Sequence, residues 1–143
     1  MAKRILVAVD PSAQPEGLVD LVADAARGGG AIVRLLTVAP VPTNAVSRDG
    51  RVVAFVDQEM ARIEANYLAD LRVLKAHLEG VPVETAVRFG ETAAEILKEA
   101  YAFHADLIAL STSRSVFQHL LGSVSETVAR QSLVPVLLLR PPR

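Results

Sequence analysis

No cysteine occurs anywhere in the 143 residues, which excludes disulfides, thiolate catalysis and cysteine-based zinc sites. Tryptophan is absent too, and aromatic residues make up only 4% of a chain that is 51% hydrophobic. A core must therefore be filled by Val, Leu, Ile and Ala, as in buried parallel sheets. Neither sign of charge dominates. With 15 basic and 16 acidic residues and no run of like sign, the formal net charge is −1, so nothing marks nucleic acid or an anionic membrane as a partner. Long apolar runs are also missing: Ile5 to Val9, directly after the N-terminal Met-Ala-Lys-Arg, is too short for a signal-peptide core or a membrane span. The expected location is the cytoplasm.

Several chemical signatures are absent as well. There is no Walker lysine motif, no Gly-x-Gly-x-x-Gly and no Gly-x-Ser-x-Gly elbow. His77, His104 and His119 fall on three separate segments without paired spacing, so no metal site is expected. Ser123, His119 and Asp106 supply the residue types of a hydrolytic triad, but such trios arise by chance and catalysis is not assigned to them.

What is present is a regular alternation of aliphatic runs and helical stripes. At 143 residues one domain spanning 1–143 is expected, and a chain of this size buries roughly 68–70% of its unfolded surface. Arg4 to Val9 is an aliphatic run that stops at Asp10-Pro11-Ser12, a strand followed by a turn. Pro15 suits a helix start, and Leu18, Leu21, Val22 and Ala25 recur at helical spacing until Gly28-Gly29-Gly30. Ala31 to Val38 reads as the second strand, and 39–51, rich in Pro, Asn, Asp and Gly, as a long loop. Val56, Met60, Ile63, Tyr67, Leu71, Leu74 and Leu78 define one long amphipathic helix. Val83 to Phe89 is the third strand; Thr92-x-x-Glu95 has the form of a capping box opening a helix with Ile96, Leu97, Ala100 and Phe103 inward. Leu107 to Leu110, Ser123 to about Gln131, and Val136 to Leu139 complete the series as strand, helix and strand.

Five strands alternating with four helices predict an α/β fold, a doubly wound parallel sheet in the order 3-2-1-4-5. Ligands in such sheets bind outside the carboxyl ends of the strands, where the winding reverses between strands one and four. That places Asp10, Val38 and the loop from Ser111 onward around one crevice. The loop is hydroxyl-rich (Ser111, Thr112, Ser113, Ser115), contains Arg114, and runs to Gly122-Ser123-Val124, a helix start whose free N–H groups attract anions. Ser123-x-x-Glu126 also has the form of a capping box, so the Ser123 hydroxyl has a structural use of its own. Asp10 admits two readings, a ribose ligand or a cap on the turn at Pro11-Ser12.

Ile5-Leu-Val-Ala-Val-Asp10, Leu36-Thr-Val38, Arg88-Phe-Gly90-Glu-Thr-Ala, Ala105-Asp-Leu-Ile-Ala-Leu110 and Gly122-Ser-Val-Ser-Glu with Val134-Pro-Val-Leu-Leu-Leu-Arg140 together resemble the universal stress protein family. The likeness runs over nearly the whole chain. It implies a Rossmann-like nucleotide-binding sandwich and a stress-response sensor or regulator rather than a fast enzyme. It further implies ATP or AMP with Mg, and Asp10, Val38, Ser111, Thr112, Gly122, Ser123 and Val124 around the nucleotide. Weak ATP hydrolysis or self-phosphorylation would need a base and metal for which the sequence has no candidate.

The chain departs from the ATP-binding signature of that family, which is Gly, two residues, Gly, nine residues, then Gly-Ser or Gly-Thr. Gly122-Ser123 matches its end, but Ser111 stands at the first glycine, the second has no counterpart, and the loop is about two residues short. The alternative is accordingly a module of the same family that binds no nucleotide and serves dimerisation. Val136, Leu137, Leu138 and Leu139 at a sheet edge, and a high mean hydropathy of +0.34, lead to a homodimer through the last strand.

Overall fold

The computed structural model describes residues 3–42, 52–111 and 122–140, the side chains of 52–55, 122 and 123 excepted. Its elements are β1 (Arg4–Ala8), α1 (Glu16–Gly29), β2 (Ile32–Ala39), α2 (Val52–Leu74), β3 (Val83–Phe89), α3 (Thr92–Phe103), β4 (Leu107–Ser111), α4 (Gly122–Gln131) and β5 (Val136–Leu139). All strand pairs are parallel and the sheet order is β3-β2-β1-β4-β5, the doubly wound arrangement expected.

The central strands β1 and β4 are aliphatic between their ends because both faces are covered. Ile5, Val7 and Val9 point to the layer of α1 and α2, with Val19, Val22 and Leu71, while Leu6 points to the layer of α3 and α4, with Ile96, Phe103 and Val128. Period-two alternation thus divides one apolar run between two cores.

Helix stripes differ from expectation in two places. On α1 the buried residues are Leu18, Val19, Val22, Ala23 and Ala26; Leu21 is 43% exposed and Ala25 is exposed. Small alanines let the helix sit close to the sheet, and the buried face turns toward them and away from Leu21. Gly30 ends the helix in the left-handed region (φ 68°), its N–H donating to Ala26 O. The stripe of α2 is deeply buried only at its end, at Leu71 and Leu74, and at Leu78 in the tight turn of 3-10 helix that follows. Its 23 residues rise about 35 Å, whereas the 7 residues of β3 reach about 23 Å. The amino half of α2 therefore overhangs the carboxyl ends of the strands, leaving Val56, Met60, Ile63 and Tyr67 half-buried.

The start of α3 corrects the capping box. Glu91, not Thr92, is the N-cap, its carboxylate accepting from the Ala93 and Ala94 N–H groups. Gly90 immediately before it has φ 146°, and a Cβ there would meet Glu95 Cγ at 3.0 Å. The space beside Gly90 is taken by Glu95, which pairs with Arg88 (2.9 Å) and Lys98 (3.1 Å). In α4, Glu126 pairs with Arg130, and the Ser123 side chain of the second capping box lies outside the described residues.

An ionic cluster fills the space between β2, β3 and α3. Glu99, 6% exposed, receives Arg34 at 2.5 Å and Arg88 at 2.7 Å, and Arg34 also reaches Glu84 at 2.5 Å. Arg34 and Arg4 both lie over the buried Phe103 ring, 4.2 and 4.6 Å from its centroid. Burial pushes the Glu99 carboxyl up, but hydrogen bonds and charge from Arg88 and Arg34 outweigh it and hold it below the ordinary carboxylate range. Arg88, then Lys98, draw Glu95 down likewise.

Below the ordinary carboxylate pKa the unfolded chain binds more protons at these positions than the folded one, so stability must fall as pH falls. The free energy of unfolding in urea is expected to lose this contribution below about pH 4.5 and to retain it above about pH 5. Glu99→Gln should make the acid limb shallower. Parallel acid limbs for the two proteins would show that Glu99 does not carry the effect.

Candidate functional site

A cavity of about 320 Å³ opens at the carboxyl ends of the strands, at the switch point between β1 and β4. Its floor is Ala8, Val9, Leu36 and Leu110 from the central strands, and its walls include Ile96 of α3, Val124 of α4 and Tyr67 of the overhanging part of α2. Polar groups enter from Asp10, Thr37, Thr92 and Ser111.

Of the residues singled out in the sequence, Asp10, Val38, Ser111 and Val124 line this one cavity. Gly122 and Ser123 form the first residues of α4, the element that also carries Val124. Thr112 lies outside the described residues, as do Ser113, Arg114, Ser115 and His119.

Asp10 caps a short 3-10 turn at Pro11–Ala13. Its Oδ1 accepts from the Ser12 N–H at 3.0 Å and the Ser12 hydroxyl at 2.7 Å, while its carbonyl accepts from Ala13. This fixes the carboxylate at the mouth of the cavity. Thr37, which sequence reasoning passed over, is buried and donates from Oγ1 to Val9 O at 3.1 Å, tying the end of β1 to β2. A lone hydroxyl inside an aliphatic strand was its only signal.

The departure at Ser111 has less structural weight than the missing glycine suggests. Ser111 is the last residue of β4, paired with Leu139, and the described non-glycine residues with positive φ are Gln14 and His104 only. No left-handed conformation is demanded at this position.

The universal stress protein family model matches residues 1–140. The chain belongs to the universal stress protein family. The hypothetical protein MJ0577 has the same fold at a TM-score of 0.83 and 25% identity, over 99% of this chain and 97% of its own. A universal stress protein in complex with cAMP superposes at a TM-score of 0.71 with 22% identity, covering 96% of each chain. Another, from Archaeoglobus fulgidus in complex with dAMP, does so at 0.60 with 20% identity, over 95% of this chain and 96% of that one. No curated protein matches the sequence.

Within this universal stress protein the other constellations are separated by the fold. Asp106 stands at the amino end of β4, where Oδ2 accepts from the Lys3 and Arg4 N–H groups at 3.0 Å each, opposite the end where α4 starts. His77 Nδ1 meets Asp20 at 2.9 Å, and His104 closes α3 in the left-handed region. No His, Asp and Glu cluster able to hold a metal occurs among the described residues, and none of their helices is long and apolar enough to cross a membrane.

Two further hollows are lined by described residues. One, about 260 Å³, adjoins the crevice and is bounded by Ala39, Pro40, Arg62, Ile63, Asn66 and Tyr67. The other, about 460 Å³, lies between the ends of α3 and α4 near Tyr101 and Leu133. Although larger, it sits at the amino ends of β4 and β5, away from the switch point where these sheets hold ligands.

Proposed function

We propose that this universal stress protein binds an adenine nucleotide, ATP or AMP, at the switch point of the sheet and acts as a cytoplasmic stress-response sensor or regulator. The supporting observation is the single cavity that gathers Asp10, Val38, Ser111 and Val124 beside the start of α4. The complexes of its structural neighbours with cAMP and dAMP point the same way.

The donor set suits such a ligand. With Asp10 Oδ1 held by Ser12, Oδ2 accepts from a ribose hydroxyl. Val38 main-chain groups meet the adenine edge. The Ser111 and Thr112 hydroxyls and the N–H groups of Gly122 and Ser123 at the helix start donate to phosphate oxygens. Mg accompanies a triphosphate as its counterion. Thr92, at the first turn of α3, adds a hydroxyl on the opposite wall. Calorimetric titration with AMP and with Mg-ATP tests this reading; saturable heat at sub-millimolar ligand is expected, and none for either ligand into the millimolar range would refute it.

The same chain is proposed to dimerise through β5. Leu138, at the edge of the sheet, is 41% exposed, and a second copy pairing along Val136, Leu137, Leu138 and Leu139 would remove the open edge. Leu138→Asp should convert a dimer to monomer in sedimentation velocity while leaving nucleotide titration intact. A wild-type monomer at all concentrations would overturn the dimer.

A further inference from the structure

The hollow of about 460 Å³ between the ends of α3 and α4 is lined by the buried Ala100 and Ile108, the half-buried Leu97, and two residues that stand almost bare, Tyr101 at 80% and Leu133 at 95% exposed. A leucine so exposed beside an apolar hollow marks a surface that another chain covers. The hollow also adjoins the sheet edge, because Leu133 and Val134 lead through Pro135 into Val136, the first residue of β5. We infer that it receives the Pro141-Pro142-Arg143 segment of a second copy of this chain, exchanged reciprocally across the β5 edge. This rests on the β5 dimer proposed above and adds to it a contact outside the sheet.

Symmetry sets the direction. Two identical edge strands related by a two-fold axis pair antiparallel, so the carboxyl end of the partner's β5 lies beside Val136. With Leu137 opposite the partner's Leu138, the partner's Arg140 falls beside Pro135, and the partner's Pro141 and the partner's Pro142 fall beside Val134 and Leu133, both of which line the hollow. A register one residue away moves this overlap by one residue only. Reach excludes the chain's own tail: four residues of strand set Arg140 about 13 Å beyond Val136, whereas three extended residues span at most about 10 Å. The segment of one copy therefore meets the hollow of the other and not its own.

Composition fits the same occupant. Pro141 and Pro142, which lie outside the described residues, have no N–H to donate, so a strand ladder along this edge cannot run past Arg140. Consecutive prolines favour the extended polyproline form, which loses little entropy on docking and seats against aromatic and apolar side chains. Tyr101 supplies the aromatic ring, and Leu97 and Leu133 the apolar surface.

A chain without cysteine permits a direct test. The full chain carrying both Leu133→Cys and Pro142→Cys, oxidised and run on a gel without reductant, should migrate as a covalent dimer, while each single variant should not. A disulfide closed within one chain, or thiols that stay reduced in a protein that is dimeric by sedimentation, overturns the exchange. In sedimentation velocity, Pro141→Ser with Pro142→Ser should raise the dimer dissociation constant roughly tenfold, as should Leu133→Ser alone. All three substitutions together should cost no more than either set, because they act on one contact. A dissociation constant unmoved by the proline substitutions overturns the exchange and leaves the β5 dimer standing. Wild type that is monomeric at every concentration overturns both.

Discussion

Glu99→Ala is expected to destabilise the protein by about 3 kcal/mol, the lower end of what breaking a buried ion pair costs. Glu99 is the shared anion of Arg34 and Arg88, and its side chain is only 8% exposed. Its removal leaves Arg34 with Glu84 alone and Arg88 with Glu95 alone, and no carboxylate between the two guanidinium groups, so like-charge repulsion adds to the lost hydrogen bonds. For a domain of this size the melting temperature should drop by about 10 °C. The comparison that isolates the cause is the combined variant Arg34→Met, Arg88→Met, Glu99→Leu. With all three charges gone and comparable volume kept, it should lie within about 1 kcal/mol of wild type. Urea unfolding of the two variants checks both statements. An alanine variant as stable as wild type, or a combined variant as unstable as the single one, would mean that unpaired charge is not the main source of the loss.

That cluster was invisible in the sequence, and the reason is physical. Arg34, Arg88 and Glu99 lie on three elements, at separations set only by the packing of α3 across β2 and β3. Linear spacing carries no trace of such a meeting. The strands were legible for the opposite reason: a residue such as Leu6 or Val7 is buried whichever face it takes, so continuous aliphatic runs define the central strands without knowledge of the partner.

The local signals were weaker where two neighbours competed for one role. Thr92 and Glu91 are both competent N-caps, and the chain uses Glu91 because Gly90 gives the turn its positive φ and Glu95 goes to Arg88. The site was legible in part. Asp10 carries both its turn signal and its place at a strand end, and the structure realises the turn while setting the residue at the cavity. Tyr67 reads in the sequence as one more apolar position of a helix stripe; only the overhang of α2 beyond the strand ends turns it toward a crevice.

Ser111→Trp should lower nucleotide affinity by roughly a hundredfold or more, about 2.7 kcal/mol, while leaving the fold intact. Ser111 is exposed at the last position of β4 and lines the crevice, so a larger side chain there takes space outside the core. An indole covers on the order of 150–250 Å² of surface, enough to occupy the space where the phosphate end of the ligand must sit. Stability should change by no more than about 0.5 kcal/mol, as for exposed positions in general. Ser111→Ala separates steric exclusion from the hydroxyl: losing one donor to phosphate should cost only about two- to tenfold. Ser111→Gly, which restores the residue of the family signature, distinguishes the two ways in which this position serves a ligand. If the hydroxyl is the donor, glycine behaves as alanine does; if close backbone approach limits binding, glycine tightens it. Calorimetric titration with AMP and Mg-ATP, paired with thermal unfolding, reads all three variants. Full affinity in a correctly folded Ser111→Trp protein would place the nucleotide elsewhere and remove the crevice from consideration.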